Sequence, residues 1–71
     1  MSREFELLDA LRTGPATTSE LYDRVGYAAL TRLGLIPYAA FRDELVNLAS
    51  KGEVEQETAP DGSTEWRLKT G

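Results

Sequence analysis

The sequence predicts an α+β fold in which three main helices precede a carboxy-terminal β-hairpin. Two observations indicate this fold: apolar residues recur at helical spacing up to Gly52, and after it the period changes to two. The chain has 71 residues and contains neither cysteine nor histidine. We therefore expect a single domain, residues 1–71, stabilised by packing around one thin core.

The first two helices are indicated by apolar spacing and by their termini. The first is expected over residues 3–13, because an apolar stripe precedes a glycine–proline pair that stops the run: Phe5, Leu8 and Leu11, with Leu7 on the flank. The second is expected over residues 18–25, where Thr17 and Glu20 have the spacing of a capping box. A short extended link joins the two helices.

Residues 26–36 are harder to assign. Tyr27, Leu30 and Leu33 could line one face of a helix that Gly34 closes, which predicts a short extra helix over 27–33. The apolar character of this segment is consistent with ordinary core, and equally with a surface that forms a homodimer through residues 27–38.

The third main helix is expected over residues 37–50. Pro37 suits the first helical position, because its fixed φ favours the helix and its missing N–H costs nothing there. Phe41, Leu45 and Leu48 form one apolar stripe, and Gly52 follows as the cap.

Residues 53–69 are expected to form a hairpin around a turn at residues 60–63, PDGS. A loop over residues 59–63 is expected to set the register of the two strands. In this register the residues of the buried face lie opposite each other on one side of the hairpin, and oppositely charged residues lie opposite each other on the other face. The expected pairs are Val54 with Leu68, Gln56 with Trp66, Glu55 with Arg67, and Glu53 with Lys69. A register shifted by two would oppose Glu55 with Glu65, which like-charge repulsion disfavours. Trp66 is expected to pack beneath this hairpin against the third main helix, and the alternative is an exposed Trp66 that anchors a partner.

This order of elements, and three segments within it, resemble the winged helix-turn-helix superfamily. Residues 14–21, GPATTSEL, resemble the family's entry to its second helix. Phe41-x3-Leu45-x2-Leu48-x3-Gly52-x-Val54 resembles the end of its third helix, and residues 66–68, WRL, resemble the returning wing strand. The residues of these segments are ones that pack a core or form turns, so the resemblance indicates a fold more specifically than a function.

By resemblance, the chain is similar to small prokaryotic or archaeal transcriptional regulators that bind DNA. In that family the third helix, here residues 37–50, enters the major groove, and the hairpin at 53–69 acts as the wing. The eleven residues from 26 to 36 depart from the family's short turn. Either the second helix is extended or an extra helical turn is inserted, and both would alter the geometry of the helix pair.

The candidate DNA contacts follow from the face of the third helix that points away from its apolar stripe. Tyr38 and Arg42 are expected on one flank of this helix. The positions expected to point outward are Ala39, Ala40, Asp43, Val46, Asn47 and Ser50. Small residues permit close approach, Arg42 could pair with phosphate or guanine, and Asn47 could read adenine. Asp43 opposes binding unless it accepts from cytosine N4. The alternative is a solvated face that contacts nothing.

Further candidates lie outside that helix. The start of the second helix offers hydroxyls to a phosphate, although capping alone could explain them: Thr17, Thr18 and Ser19. Arg67 and Lys69 are candidate wing contacts, but the expected register sets each opposite a glutamate. Arg32 has no obvious acidic partner nearby in sequence, so it could contact DNA or keep a loop soluble.

The negative net charge of the chain disfavours a role as a general polyanion-binding protein. Twelve acidic residues against eight basic ones give a net charge of −4, whereas non-specific DNA affinity depends on basic residues that displace counterions. Few of the basic residues are lysine, which is typical of proteins from a high-salt cytoplasm, where acidity maintains hydration. Under that hypothesis the acidity reflects habitat.

The amino-acid composition also excludes several functional classes. Without cysteine, histidine or a phosphate-binding glycine loop, we expect no enzyme, metal site or cofactor, and no small-molecule substrate is evident. No apolar run approaches the roughly 18 residues of a membrane span, so a cytoplasmic protein without membrane contacts is expected. Double-stranded DNA is the expected partner. The alternative is a winged-helix protein-interaction module in a transcription, replication or recombination assembly.

Overall fold

A computed structural model describes residues 3–69, so residues 1, 2, 70 and 71 of the expected domain lie outside the described part. The fold is α+β, with four helices and a three-stranded antiparallel sheet. Along the chain the elements are α1 (Arg3–Leu11), β1 (Ala16–Thr17), α2 (Thr18–Val25), α3 (Tyr27–Leu33), α4 (Tyr38–Ser50), β2 (Val54–Thr58) and β3 (Thr64–Leu68). Within residues 3–69, no helix is long and apolar enough to cross a membrane.

Helix α1 buries a different stripe from the one expected. Leu7 and Leu11, one helical turn apart, are buried, whereas Phe5 is 52% exposed. An i, i+4 pair lies on one narrow face, and the partly buried Leu8 packs against the same core. The expected stripe through Phe5 was wrong because packing against the rest of the core selects the Leu7 face.

Helices α2 and α3 have the expected bounds. The capping box at the start of α2 is present, with Thr17 as the N-cap and Glu20 as its reciprocal partner. The extra helix over 27–33 is confirmed. It ends at Gly34, whose φ of 73° lies in the left-handed region that glycine adopts without strain.

Helix α4 supplies the long apolar stripe that was expected, with Phe41, Leu45 and Leu48 buried. The helix begins one residue later than expected, so Pro37 is its N-cap and not its first helical residue. Its ψ of 126° is extended, so the helix begins at Tyr38. At the other end, the Gly52 N–H donates to the Ala49 carbonyl oxygen at 3.0 Å, which closes the last turn.

The hairpin has the expected register, but the sheet has one more strand than expected. Strands β2 and β3 pair Val54 with Leu68, Glu55 with Arg67, and Gln56 with Trp66. Strand β1, in the link before α2, pairs with the other side of β3 and gives the order β1-β3-β2. A two-residue strand is too short to show a period in sequence, so a two-stranded sheet was the wrong expectation.

The same register also opposes Glu57 with Glu65, a like-charge pair that sequence reasoning overlooked. Arg67 lies beside it: its Nε is 3.3 Å from Glu55 Oε1 and its Nη1 is 3.3 Å from Glu57 Oε2. One guanidinium therefore offsets charge on two glutamates of β2 and reduces the repulsion between the strands.

The core lies between the helices and the inner face of the sheet. Its buried apolar residues come from every element: Leu7, Leu11, Ala16, Leu21, Leu30, Leu35, Phe41, Leu45, Leu48, Val54 and Trp66. Trp66 is buried beneath the hairpin, as expected, and its indole N–H donates to the Thr18 hydroxyl at 2.7 Å. This bond joins the sheet to the start of α2.

The segment over 27–38 contributes mainly to this core. Leu30 and Leu35 are buried, and Leu33 and Ile36 pack partly buried against them. Tyr27 and Tyr38 are exceptions, since they are 75% and 46% exposed. A homodimer through this segment remains a prediction, and these two rings are available to support it.

Candidate nucleic-acid interface

Five of the candidate DNA contacts lie around one surface groove of about 360 Å³. We call it the α2–α4 groove. Its lining residues come from the start of α2, the first turns of α4 and the end of the β2–β3 turn: Thr17, Thr18, Ser19, Tyr38, Arg42, Gly62, Ser63 and Thr64. Residues 62–64 were not singled out as contacts, although the PDGS turn sequence places a polar loop there. Segments distant in sequence thus converge on one polar concavity.

The first residue of the groove, Thr17, already uses its hydrogen-bonding groups to cap α2. The Glu20 N–H donates to Thr17 Oγ1 at 3.2 Å, and the Thr17 N–H donates to Glu20 Oε1 at 2.9 Å. The bond from the Thr17 backbone, followed by the contribution of its side chain, lowers the pKa of Glu20. Glu20 therefore stays ionised beside the groove.

Thr18 has a structural role that sequence reasoning missed. The residue is 7% exposed, and its hydroxyl accepts the hydrogen bond from Trp66 that spans 48 positions of sequence. A buried indole N–H requires an acceptor, which explains a polar residue at this position. No local pattern reveals such a contact, because the partner lies on the last strand.

Ser19 and Tyr38 meet at the exposed side of the groove. Their hydroxyl oxygens are 3.1 Å apart and share a hydrogen bond. The Tyr38 ring is 46% exposed and rests against Tyr22, with ring centroids 5.5 Å apart. This arrangement presents a half-exposed aromatic ring and two hydroxyls at the point where α2 and α4 approach.

The outward face of α4 is exposed as expected except at Ala40, which is partly buried and packs against the core. Ala39, Arg42, Asp43 and Asn47 all lie at the surface, and Val46 on the same face is 45% exposed. The Arg42 Nη2 is 4.0 Å from Asp43 Oδ1, at the outer limit of an ion pair. Arg42 therefore has freedom to bind another anion.

Asn47, further along α4, has an intramolecular partner. Its Nδ2 donates to Glu44 Oε2 at 3.2 Å. Glu44 also contacts Arg3 of α1, with Arg3 Nη1 3.4 Å from Glu44 Oε1. A ligand that used the Asn47 amide would have to replace one exposed hydrogen bond, which costs little net free energy.

The other candidate cations do not join the α2–α4 groove. Arg32 contacts α1 instead: its Nη2 is 2.8 Å from Glu6 Oε1, so Arg32 has an acidic partner, although none lies nearby in sequence. The two residues are 26 positions apart, and only tertiary structure brings them together. Arg67 lines a different groove with Leu11 and Pro15. Lys69 is exposed beyond β3, where its N–H donates to the Glu53 carbonyl oxygen at 3.2 Å.

Most basic side chains are engaged within the chain, and the groove is rimmed by acids. Asp61 accepts from the Ser63 hydroxyl at 2.6 Å and from its N–H at 3.0 Å, and these bonds lower the pKa of Asp61. Asp61 also lies close enough to Glu20 to oppose the ionisation of that carboxyl. Arg42 is the one basic residue among those that line the groove.

Residues 3–69 contain no group of three acidic side chains placed to hold a metal ion. In comparisons with known proteins, no family model, curated protein or solved structure matches this chain.

Proposed function

We propose that the chain is a small DNA-binding protein of the winged helix-turn-helix type, acting as a transcriptional regulator. In this proposal α4 enters the major groove and the 53–69 hairpin acts as the wing. The convergence of Ser19, Tyr38 and Arg42 with the wing turn on the α2–α4 groove is the observation that carries it. Candidate contacts from two separate segments, the start of α2 and the first turns of α4, line one concavity together with the turn of the hairpin.

The α4 face suits a groove in size and chemistry. Ala39 lets the helix approach a groove wall closely, and Arg42 beside it can donate to a phosphate or to guanine. Asn47 can pair with adenine once it leaves Glu44, and Asp43 can accept from cytosine N4. The face is exposed along the helix, so DNA can reach it without a rearrangement of the core.

The acidity of the chain shapes the kind of binding expected. With one basic side chain in the α2–α4 groove, few counterions are released on association. Affinity must then come mainly from base-edge contacts and shape, so random-sequence DNA should bind weakly. A regulator that works in concentrated salt would gain from this property, because salt weakens the ionic part of binding most.

The proposal is tested by fluorescence anisotropy of labelled duplexes selected from a random-sequence pool with the purified protein. We expect a specific duplex to be recovered and Arg42→Ala to weaken its binding. Arg12→Ala is the matched control, because Arg12 is an exposed arginine whose own acidic partner, Asp9, is 3.5 Å away on α1. If no duplex is recovered even at low salt, the proposal is wrong.

A second candidate function is a winged-helix protein-interaction module in a transcription, replication or recombination assembly. The observation that favours it is the acidic rim of the groove, formed by Glu20 and Asp61, beside the exposed rings and apolar groups of Tyr38 and Val46. Such a surface complements a basic partner. Capture of a partner that persists after nuclease treatment and is lost in Val46→Asp would favour this candidate over DNA binding.

A further inference from the structure

The connection between α2 and α4 is long, because the whole of α3 lies within it. A short turn would by itself restrict how two helices cross, whereas a long connection restricts the crossing much less. If α4 enters a DNA groove, its orientation relative to α2 must nevertheless be fixed. Other contacts must therefore supply the constraint that a short turn would give.

Tyr22 makes those contacts from the middle of α2. Its hydroxyl donates to the carbonyl oxygen of Ile36, at the end of the connection. Its ring packs edge-on against Phe41 of α4, with centroids 5.1 Å apart and planes at 87°. The same ring meets Tyr38, one turn earlier, at 5.5 Å. One side chain thus contacts the entry to α4 and two of its residues one turn apart.

A second bridge lies one turn earlier on α2, where Ser19 and Tyr38 share a hydrogen bond of 3.1 Å. Both bridges reach Tyr38, and the Tyr22 ring also contacts Phe41 one turn later. Two points of attachment restrict rotation of α4 about its own axis as well as its tilt, which a single contact could not do.

We propose that Tyr22, supported by Ser19, is the positioning residue that sets the orientation of α4 relative to α2. Tyr22 does this through the Ile36 carbonyl and the rings of Phe41 and Tyr38. This positioning role is argued from these contacts and does not depend on the proposed function. Its consequence for base recognition rests on the proposed function: a misaligned α4 would lose base contacts and keep its phosphate contact.

The chain contains no cysteine, so two spin labels can be placed cleanly. Asp23→Cys on α2 and Ser50→Cys at the far end of α4 are exposed positions, and the label at residue 50 magnifies any change of tilt. Pulsed electron paramagnetic resonance then reports the distribution of distances between them. Tyr22→Phe removes the hydroxyl and retains the ring, and Tyr27→Phe on the exposed Tyr27 is the matched control.

We expect Tyr22→Phe to broaden or shift the distance distribution in fully folded protein, and Tyr27→Phe to leave it unchanged. Ser19→Ala should broaden it as well, so the proposal stays testable if Tyr22→Phe folds poorly. A role confined to stability would lower the melting temperature without changing the distribution in the folded state. Distributions for Tyr22→Phe and Ser19→Ala that match the parent would overturn the proposal.

The DNA readout is separate. Tyr22→Phe is expected to reduce discrimination between the selected duplex and a random one by about tenfold, the scale of one lost base contact, with the salt dependence unchanged. A broadened distribution in a protein that binds no duplex would uphold the positioning role and reject the proposed function. A broadened distribution with intact discrimination would show that α4 orientation does not govern base recognition and would overturn that part of the proposal.

Discussion

The salt dependence of the proposed DNA binding can be worked out from the positions of the basic side chains. Each neutralised phosphate adds about −0.9 to the slope of log K against log salt concentration on duplex DNA. Arg42 is the basic residue that lines the α2–α4 groove. Arg67 contributes little to the net release of cations from DNA. If it moved to a phosphate it would leave the carboxylates of Glu55 and Glu57, and these would attract cations in its place. We therefore expect a wild-type slope of about −1 to −2.

Arg42→Ala should remove about one phosphate contact and flatten the slope by about 0.9. The assay is anisotropy of a labelled duplex over a series of potassium chloride concentrations, with Arg12→Ala as the control of equal charge change. Because Arg12 lies at the end of α1 beside Asp9, its loss should leave the slope unchanged. A wild-type slope steeper than about −5, or equal flattening in the two variants, would refute this reasoning.

Three further outcomes test other parts of the structure. Thr18→Val should lower the free energy of unfolding by about 1–3 kcal/mol, because it leaves the buried indole N–H of Trp66 unpaired. Thr18→Ser should retain most of the stability. Urea unfolding, followed by the fluorescence of the single tryptophan, measures both variants, and equal losses of stability would contradict the prediction. The lowered pKa of Glu20 contributes stability that is present above the unfolded-state value and lost as pH falls through the folded-state value. Glu20→Gln should accordingly show a shallower acid decline in urea midpoint than wild type, and an unchanged decline would count against the capping box. The melting temperature should rise from dilute buffer to molar potassium chloride, because salt screens the net charge of −4; an unchanged or lower value would contradict the high-salt hypothesis.

Periodicity and termini predicted most of the secondary structure because both are local properties. The register of the hairpin followed from matching Val54 with Leu68 and Glu55 with Arg67 across one turn. Strand β1 could not be predicted in this way, since its two residues are defined by backbone pairing with β3. Phe5 was misplaced for a related reason: helical spacing allows two neighbouring stripes, and tertiary packing selects between them.

The candidate site was predicted less completely, because its chemistry depends on partners far away in sequence. The exposed face of α4 followed from helical geometry, and Ser19, Tyr38 and Arg42 do converge. The acidic partner of Arg32 could not be predicted, because Glu6 lies on another helix. Sequence offers a phosphate contact or a capping role for the Thr18 hydroxyl, and nothing near it in sequence indicates its bond with Trp66.

The central claim is that α4 and the α2–α4 groove form a DNA-binding surface. An NMR titration of labelled protein with duplex DNA at several salt concentrations tests it most directly, because every backbone amide reports separately. We expect shifts concentrated at residues 17–19, 38–47 and 62–64. Absence of any shift at low salt, or shifts confined to α1 and α3, would contradict it.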